Sequence, residues 1–327
     1  MYSRILIPLD GSSIAEQALP YARSLAKTLK IPVEVLAAVD PVSVTALINA
    51  SPAGFLNSYI ENCVRQSGRY LDRIAHTFSS LAITCSVEKG RPEEIIIWRA
   101  ARDPGTLIIM ATHGRSGLDR WLMGSVAEKV LRATANPLLL VRAVEDGKAT
   151  GEIGWKSVIV PLDGSELAEL VLPSVITLAR EMKLEVMLAR AYEIPATAYY
   201  GSEDYLPNYE AIKEQIREEA RVYLVNKTED LKKAGVASVS WVLLDGPGAD
   251  ELIKLGRSTP DNLIAISTHG RSGVKRWVLG SVTEKIVRHS GDPVLVMPAK
   301  SLHRAEEWPP VSRSHEEINL GFRYTLD

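Results

Sequence analysis

Two clusters of residues, each occurring twice in the chain, have the types and spacing to hold a phosphate-bearing ligand. The first is Pro8-Leu9-Asp10-Gly11-Ser12 and its copy Pro161-Leu162-Asp163-Gly164-Ser165. Each follows a short apolar run and precedes a helical pattern. Proline ends a strand ladder because it has no N–H to donate. A carboxylate at the tip of a central strand can accept hydrogen bonds from a ribose hydroxyl. The same Asp10, or its neighbour Ser12, can equally cap the following helix. The residues alone leave both readings open.

The second cluster begins with Thr112-His113-Gly114-Arg115-Ser116-Gly117 and with Thr268-His269-Gly270-Arg271-Ser272-Gly273. Glycines directly after a strand allow positive φ and expose backbone N–H groups to a ligand. Further on, Gly124-Ser125-Val126 and Gly280-Ser281-Val282 open a helix, whose first N–H groups and dipole favour an anion such as phosphate. Ser125 and Ser281 also begin S-x-x-E patterns with Glu128 and Glu284, the signature of a capping box. Capping and ligand contact are compatible roles. Arg115 and Arg271 either reach phosphates or lie on the surface. His113 and His269 have no second ligand at metal spacing and read as loop residues. Trp121 and Trp277 read as packing residues. The chain has no G-x-x-x-x-G-K-[ST], no G-x-G-x-x-G and no H-E-x-x-H.

The elements that must position these clusters are themselves duplicated. Thr112–Pro137 and Thr268–Pro293 are identical at fifteen of 26 positions. The offset between copies is 153 residues at the first cluster and 156 at the second. A repeat that long is a whole domain. We expect a first domain over 1–143, a polar linker over 144–154, a second domain over 155–299 and a tail over 300–327. Apolar runs at Ile5–Leu9, Val33–Val39, Ile83–Val87, Leu107–Ala111 and Leu138–Val141 alternate with helical patterns at Ile14–Leu29, Tyr59–Phe78, Glu93–Ala101 and Val126–Thr134. Strands at Val158–Leu162, Leu184–Ala191, Ser238–Leu244, Leu263–Ser267 and Val294–Met297 repeat the order. This predicts an α/β fold of two tandem, open, doubly wound sheets, mainly parallel and five-stranded, with helices on both faces. Such sheets bind ligands beyond the carboxyl ends of their strands, where strand order reverses. Both clusters fall there.

Composition narrows the function classes. The 327 residues are 46% hydrophobic and 24% charged with a formal charge of −2, so nothing pulls the chain toward nucleic acid or anionic lipid. Its two cysteines, Cys63 and Cys85, have no ligand-like spacing, which fits a reducing cytoplasm. The first residues do not read as a signal peptide, and no apolar run approaches the ~20 residues of a membrane helix.

Taken together, P-x-D after the first strand, THGRSG after the fourth and GSV-x-E at the last helix resemble the universal stress protein family. Its nucleotide-binding members carry G-x2-G-x9-G-[ST]. The resemblance covers nearly the whole chain except linker and tail. It implies an adenine nucleotide alpha hydrolase-like fold that binds ATP, with or without Mg²⁺. By that likeness Asp10 and Asp163, each after its Pro8 or Pro161, hold ribose, and the backbone at Ala38 and Ala191 meets adenine. Gly114, Gly124, Ser125 and Val126, with Gly270, Gly280, Ser281, Val282 and Thr283, line the phosphates. The flanking His113, Arg115, Gly117, His269, Arg271 and Gly273 belong to the same loops. The resemblance also implies pairing through the last strand, either between the two halves as an intramolecular pseudo-dimer or between chains as a homodimer.

Two departures stand out. Ala111 and Ser267 replace the first glycine of the motif, where a side chain can crowd ribose. A hydroxyl-bearing phosphate contact is present as Thr283 but is Ala127 in the first half. The second half is therefore expected to bind more tightly. Neither cluster supplies a general base with an orienting partner, so no catalytic residue is assigned and slow turnover at most is expected. A nucleotide-dependent stress-response or sensing module leads. A weak ATPase or phosphotransferase, and a nucleotide-free structural or partner-binding protein, are the alternatives.

Overall fold

The computed structural model describes residues 2–43, 53–79, 81–112, 123–143, 153–193, 209–268 and 279–299. Most of the expected linker, all of the tail, and the loops carrying His113 to Gly117 and His269 to Gly273 lie outside them. The described residues divide between two compact units, one ending at Ile153 and the other running Gly154–Ala299.

The first unit holds β1 (Arg4–Pro8), α1 (Ser13–Glu16), α2 (Leu19–Leu29), β2 (Val33–Val39), α3 (Ala53–Ala75), β3 (Ile83–Lys89), α4 (Pro92–Ala101), β4 (Thr106–Thr112), α5 (Ser125–Ala133) and β5 (Leu138–Arg142). Its strands run in the order β3-β2-β1-β4-β5, every described pair parallel. Ile5, Leu6 and Ile7 are each 0% exposed. Successive strand residues point to opposite faces, so a strand buried at three consecutive positions must be covered on both.

The second unit repeats the plan with β6 (Ser157–Pro161), α6 (Glu166–Glu169), α7 (Leu172–Met182), β7 (Glu185–Tyr192), α8 (Tyr209–Lys233), β8 (Val239–Asp245), α9 (Gly248–Ser258), β9 (Asn262–Ser267), α10 (Ser281–His289) and β10 (Val294–Met297). The order is β8-β7-β6-β9-β10, again parallel throughout. In both units strand order reverses beside the first strand, between β1 and β4 and between β6 and β9. The doubly wound expectation holds. Among the described residues no helix is long and apolar enough to cross a membrane.

The expected helix over Ile14–Leu29 is in fact two, α1 and α2, with Gln17 and Ala18 between them. Pro20 explains the break. It cannot donate to the carbonyl of Glu16 four residues back, and its ring crowds that carbonyl. Pro173 stands in the same relation to Glu169, where α6 ends. The helix expected from Tyr59 already begins at Ala53.

Lys30 and Lys183 end α2 and α7 in the left-handed region, at φ 55° and 57°. A side chain there is strained by about 1 kcal/mol, and glycine is not. Lys30→Gly and Lys183→Gly should each stabilise their own unit by about 0.5 kcal/mol after glycine's greater freedom in the unfolded chain is subtracted. Urea unfolding beside the wild type checks this, and a lowered midpoint would contradict it.

A polar cluster around Glu34 interrupts the apolar interior of the first unit. Glu34, 4% exposed on β2, accepts from Arg4 Nη1 and Arg99 Nε at 2.6 Å each and from Ser86 Oγ at 2.9 Å.

Candidate functional site

In the second unit the chain leaves β6 at Pro161, and Leu162 still donates to the Ala189 carbonyl at 2.9 Å. It then turns through Gly164 at φ +88°, a conformation that favours glycine. Asp163 Oδ1 accepts from the Ser165 N–H at 2.9 Å and from Ser165 Oγ at 2.6 Å. Ser165 Oγ in turn accepts from the Ala168 N–H at 3.2 Å and caps α6. The first unit repeats these contacts through Asp10, Gly11 at φ +82°, Ser12 and Ala15. So the serines are the caps. Each aspartate orients its cap from one carboxylate oxygen.

The turn is braced from behind by the long helix of each unit. Tyr70 donates to Glu16 at 3.0 Å, and Tyr223 donates to Glu169 at 2.8 Å. Burial, then the neighbouring carboxylates, push both phenols well above the usual tyrosine range. In the second unit Lys227 also reaches Glu169 at 2.8 Å, and Arg190 lies over the Tyr223 ring at 4.8 Å.

The helix that closes the site starts one residue earlier than its capping-box pattern suggests. Gly280 is the N-cap of α10 and Gly124 that of α5; Ser281 and Ser125 are already the first helical residues. Their glutamates therefore fall at the fourth helical position rather than the third, too far along to reach back. Glu284 instead accepts from Arg288 and Glu128 from Arg132, each at 3.2 Å. The capping boxes do not form. A glycine N-cap has no side chain to offer, so the N–H groups of Ser281, Val282 and Thr283, which a helix leaves without intrahelical partners, have no side-chain cap from Gly280 and no partner among the described residues.

Two further contacts lock this helix start against the end of β9. The Gly280 N–H donates to the Thr268 carbonyl at 2.8 Å. Thr283, 3% exposed, donates its hydroxyl to the Ser267 carbonyl, also at 2.8 Å. The hydroxyl expected to meet phosphate donates here to β9. The first unit lacks this clamp. Ala127 has no hydroxyl, and the Thr112 carbonyl accepts instead from the Ala143 N–H at 3.1 Å.

Between these parts, beyond the carboxyl ends of the second unit's strands, lies a cleft of about 370 Å³. That is within the range of small-molecule sites. The sequence-predicted Pro161, Asp163, Ala191 and Ser267 line it, together with Gly280, Ser281, Val282 and Thr283. His269, Gly270, Arg271 and Gly273 lie outside the described residues. In the first unit Pro8 closes β1, Ala38 lies in β2 and Ala111 in β4, while Asp10, Gly124, Ser125 and Val126 occupy the corresponding turn and helix start. His113, Gly114, Arg115 and Gly117 are outside the described residues there too. Sequence reasoning missed Gly246 and Gly248, which line the cleft from the far side. The G-P-G at 246–248 is a turn signature that marks the place. A Cβ on Gly248 would stand 3.4 Å from that of Ala191, and the corresponding residue of the first unit is Pro92.

Ser267 adds a chemical clue. It is 2% exposed, and among the described residues its Oγ has no hydrogen-bond partner. Among the described residues no three or more His, Cys, Asp or Glu side chains gather as they would for a metal ion.

Comparison with known proteins agrees with this picture. A family model described as the universal stress protein family matches residues 1–142 and again 154–298. A universal stress protein of Mycobacterium tuberculosis is 26% identical over 304 residues, covering 89% of this chain and 95% of that one. A universal stress protein of Methanocaldococcus jannaschii is 29% identical over 150 residues, 45% of this chain and 84% of its own length. The crystal structure of a universal stress protein from Archaeoglobus fulgidus superposes with a TM-score of 0.66 at 19% identity, covering 90% of this chain and 98% of that one.

Proposed function

The chain belongs to the universal stress protein family, in tandem two-domain form, and we propose that its second half holds ATP as a nucleotide-dependent stress-response module. One observation carries the reading: the helix start Ser281 to Thr283, whose N–H groups have no partner among the described residues, lines the same cleft as Asp163. Helix N-termini of this kind favour phosphate. In this reading the phosphates lie on α10, with Mg²⁺ held by the phosphates themselves. Asp163 receives ribose hydroxyls, and adenine lies along the small side chains of Ala189 and Ala191. The reading is of a holder rather than a hydrolase, because the Asp163 carboxylate already serves the turn through Ser165. Cys63 and Cys85 as free thiols support a cytoplasmic setting.

Titration of the full chain with Mg-ATP by calorimetry tests the proposal. Asp163→Asn keeps an oxygen to accept from Ser165 but loses the charge and one acceptor. It should weaken binding about tenfold with stability within about 0.5 kcal/mol of wild type. Asp163→Ala should lose the same affinity and also about 1–2 kcal/mol of stability, because two hydrogen bonds of the turn go. No uptake of Mg-ATP by the wild type, or wild-type affinity in Asp163→Asn, overturns the reading.

A further inference from the structure

Ser267 stands where the family motif has glycine, and a side chain at that point reads from the sequence as an obstruction. Its surroundings argue the opposite. A buried hydroxyl without a partner is costly, and native structures rarely keep one. Among the described residues this one has none, and it belongs to a residue that lines the cleft, with its own carbonyl already occupied by Thr283. Its position in the sheet says which part of a ligand it meets. β6 and β9 pair in register at Ser157↔Asn262, Val158↔Leu263 and Ile159↔Ile264. Continuing that register sets Ser267 beside Leu162, one residue short of Asp163. On its other side the Thr283 bond ties Ser267 to the first turn of α10. Ser267 therefore lies between the turn that carries Asp163 and the first turn of α10.

We propose that Ser267 is a ligand-binding residue of the second half, whose hydroxyl donates to an acceptor oxygen at the junction of ribose and first phosphate. This deepens the nucleotide reading and rests on it. It also makes the two halves chemically different, since Ala111 occupies the corresponding place in the first and has no hydroxyl.

Titrations of Mg-ATP and of AMP into the wild-type chain and Ser267→Ala, both carrying Gly124→Val so that the second site is read alone, test this. Alanine keeps the β-carbon and removes only the hydroxyl. Without ligand the variant should melt at or above the wild-type temperature, because an unpartnered buried hydroxyl is gone. With ligand it should bind about five- to tenfold more weakly, by the same factor for ATP and AMP, because the junction is common to both. Unchanged or tighter binding in Ser267→Ala overturns the inference alone and restores the hydroxyl as an obstruction. A loss confined to ATP overturns it as well, by moving the contact to the outer phosphates. A wild-type chain that takes up no Mg-ATP overturns the nucleotide reading and this inference with it.

Discussion

Gly280→Val should weaken nucleotide binding in the second half by about a hundredfold or more while leaving the chain folded. The glycine is not there for its backbone freedom. At φ −59° and ψ 142° it occupies a conformation open to any residue. Its two backbone hydrogen bonds, to the Thr268 carbonyl and from the Glu284 N–H, survive the substitution. What the missing side chain supplies is access. Gly280 lines the cleft immediately before the first three N–H groups of α10, which have no partner among the described residues. A branched side chain there stands between those groups and an incoming phosphate, and a helix terminus acts on an anion only at contact range. Calorimetry with Mg-ATP reads the loss, and circular dichroism reads the fold. Gly124→Val should cost less, because the first half is expected to be the weaker site. There Ala127 cannot clamp the helix start, Pro92 takes the place of Gly248, and Ala111 offers no hydroxyl. Equal losses from the two valines would remove the asymmetry.

Much of this was legible in the sequence, and the parts that were not share a cause. The duplication, the alternating apolar runs and the turn residues near the strand ends are local signals, and the sheets and part of the lining of the cleft followed from them. The break at Pro20 was also visible as a proline inside a helical pattern, four residues after Glu16. The helix start at Gly280 was less so, because glycine and serine both serve as N-caps and the S-x-x-E pattern favoured the wrong one. The roles of Thr283 and Ser267 were out of reach. Thr283 bonds a carbonyl 16 residues away, across the interface of helix and strand. Ser267 is informative only because, among the described residues, its buried hydroxyl has no hydrogen-bond partner. Which polar groups a fold satisfies and which it leaves waiting is a property of packing. No spacing in the chain records it.

The cluster around Glu34 shows the same principle away from the site, and it supports the largest stability effect we expect. Glu34→Ala should destabilise the first unit by about 3–5 kcal/mol. The Glu34 side chain is 5% exposed, and its partners Arg4 and Arg99 are 19% and 21% exposed. Removing the carboxylate strands two largely buried guanidinium groups close together. Arg4 keeps the Arg99 carbonyl at 2.6 Å and Thr106 Oγ1 at 2.9 Å, but neither carries a charge. Among the described residues Arg99 keeps only Glu88 as a counter-charge, at 3.6 Å. The second unit solves the same positions without ions. By strand register and repeat spacing, Ser157, Met187, Val242 and Leu255 stand where Arg4, Glu34, Ser86 and Arg99 do. Replacing a buried ionic cluster by packed apolar residues is often neutral or stabilising, whereas deleting one member is not. The fourfold exchange Arg4→Ser, Glu34→Met, Ser86→Val and Arg99→Leu should therefore restore most of what Glu34→Ala loses, to within about 1–2 kcal/mol of wild type. Hydrogen exchange of the β1 and β2 amides localises the effect to the first unit, and urea unfolding gives its size. If Glu34→Ala falls within about 1 kcal/mol of wild type, the cluster is only a solvated surface pairing. If the fourfold exchange is as unstable as the single deletion, the two units do not share interchangeable interiors, and their duplication extends to backbone and cleft alone.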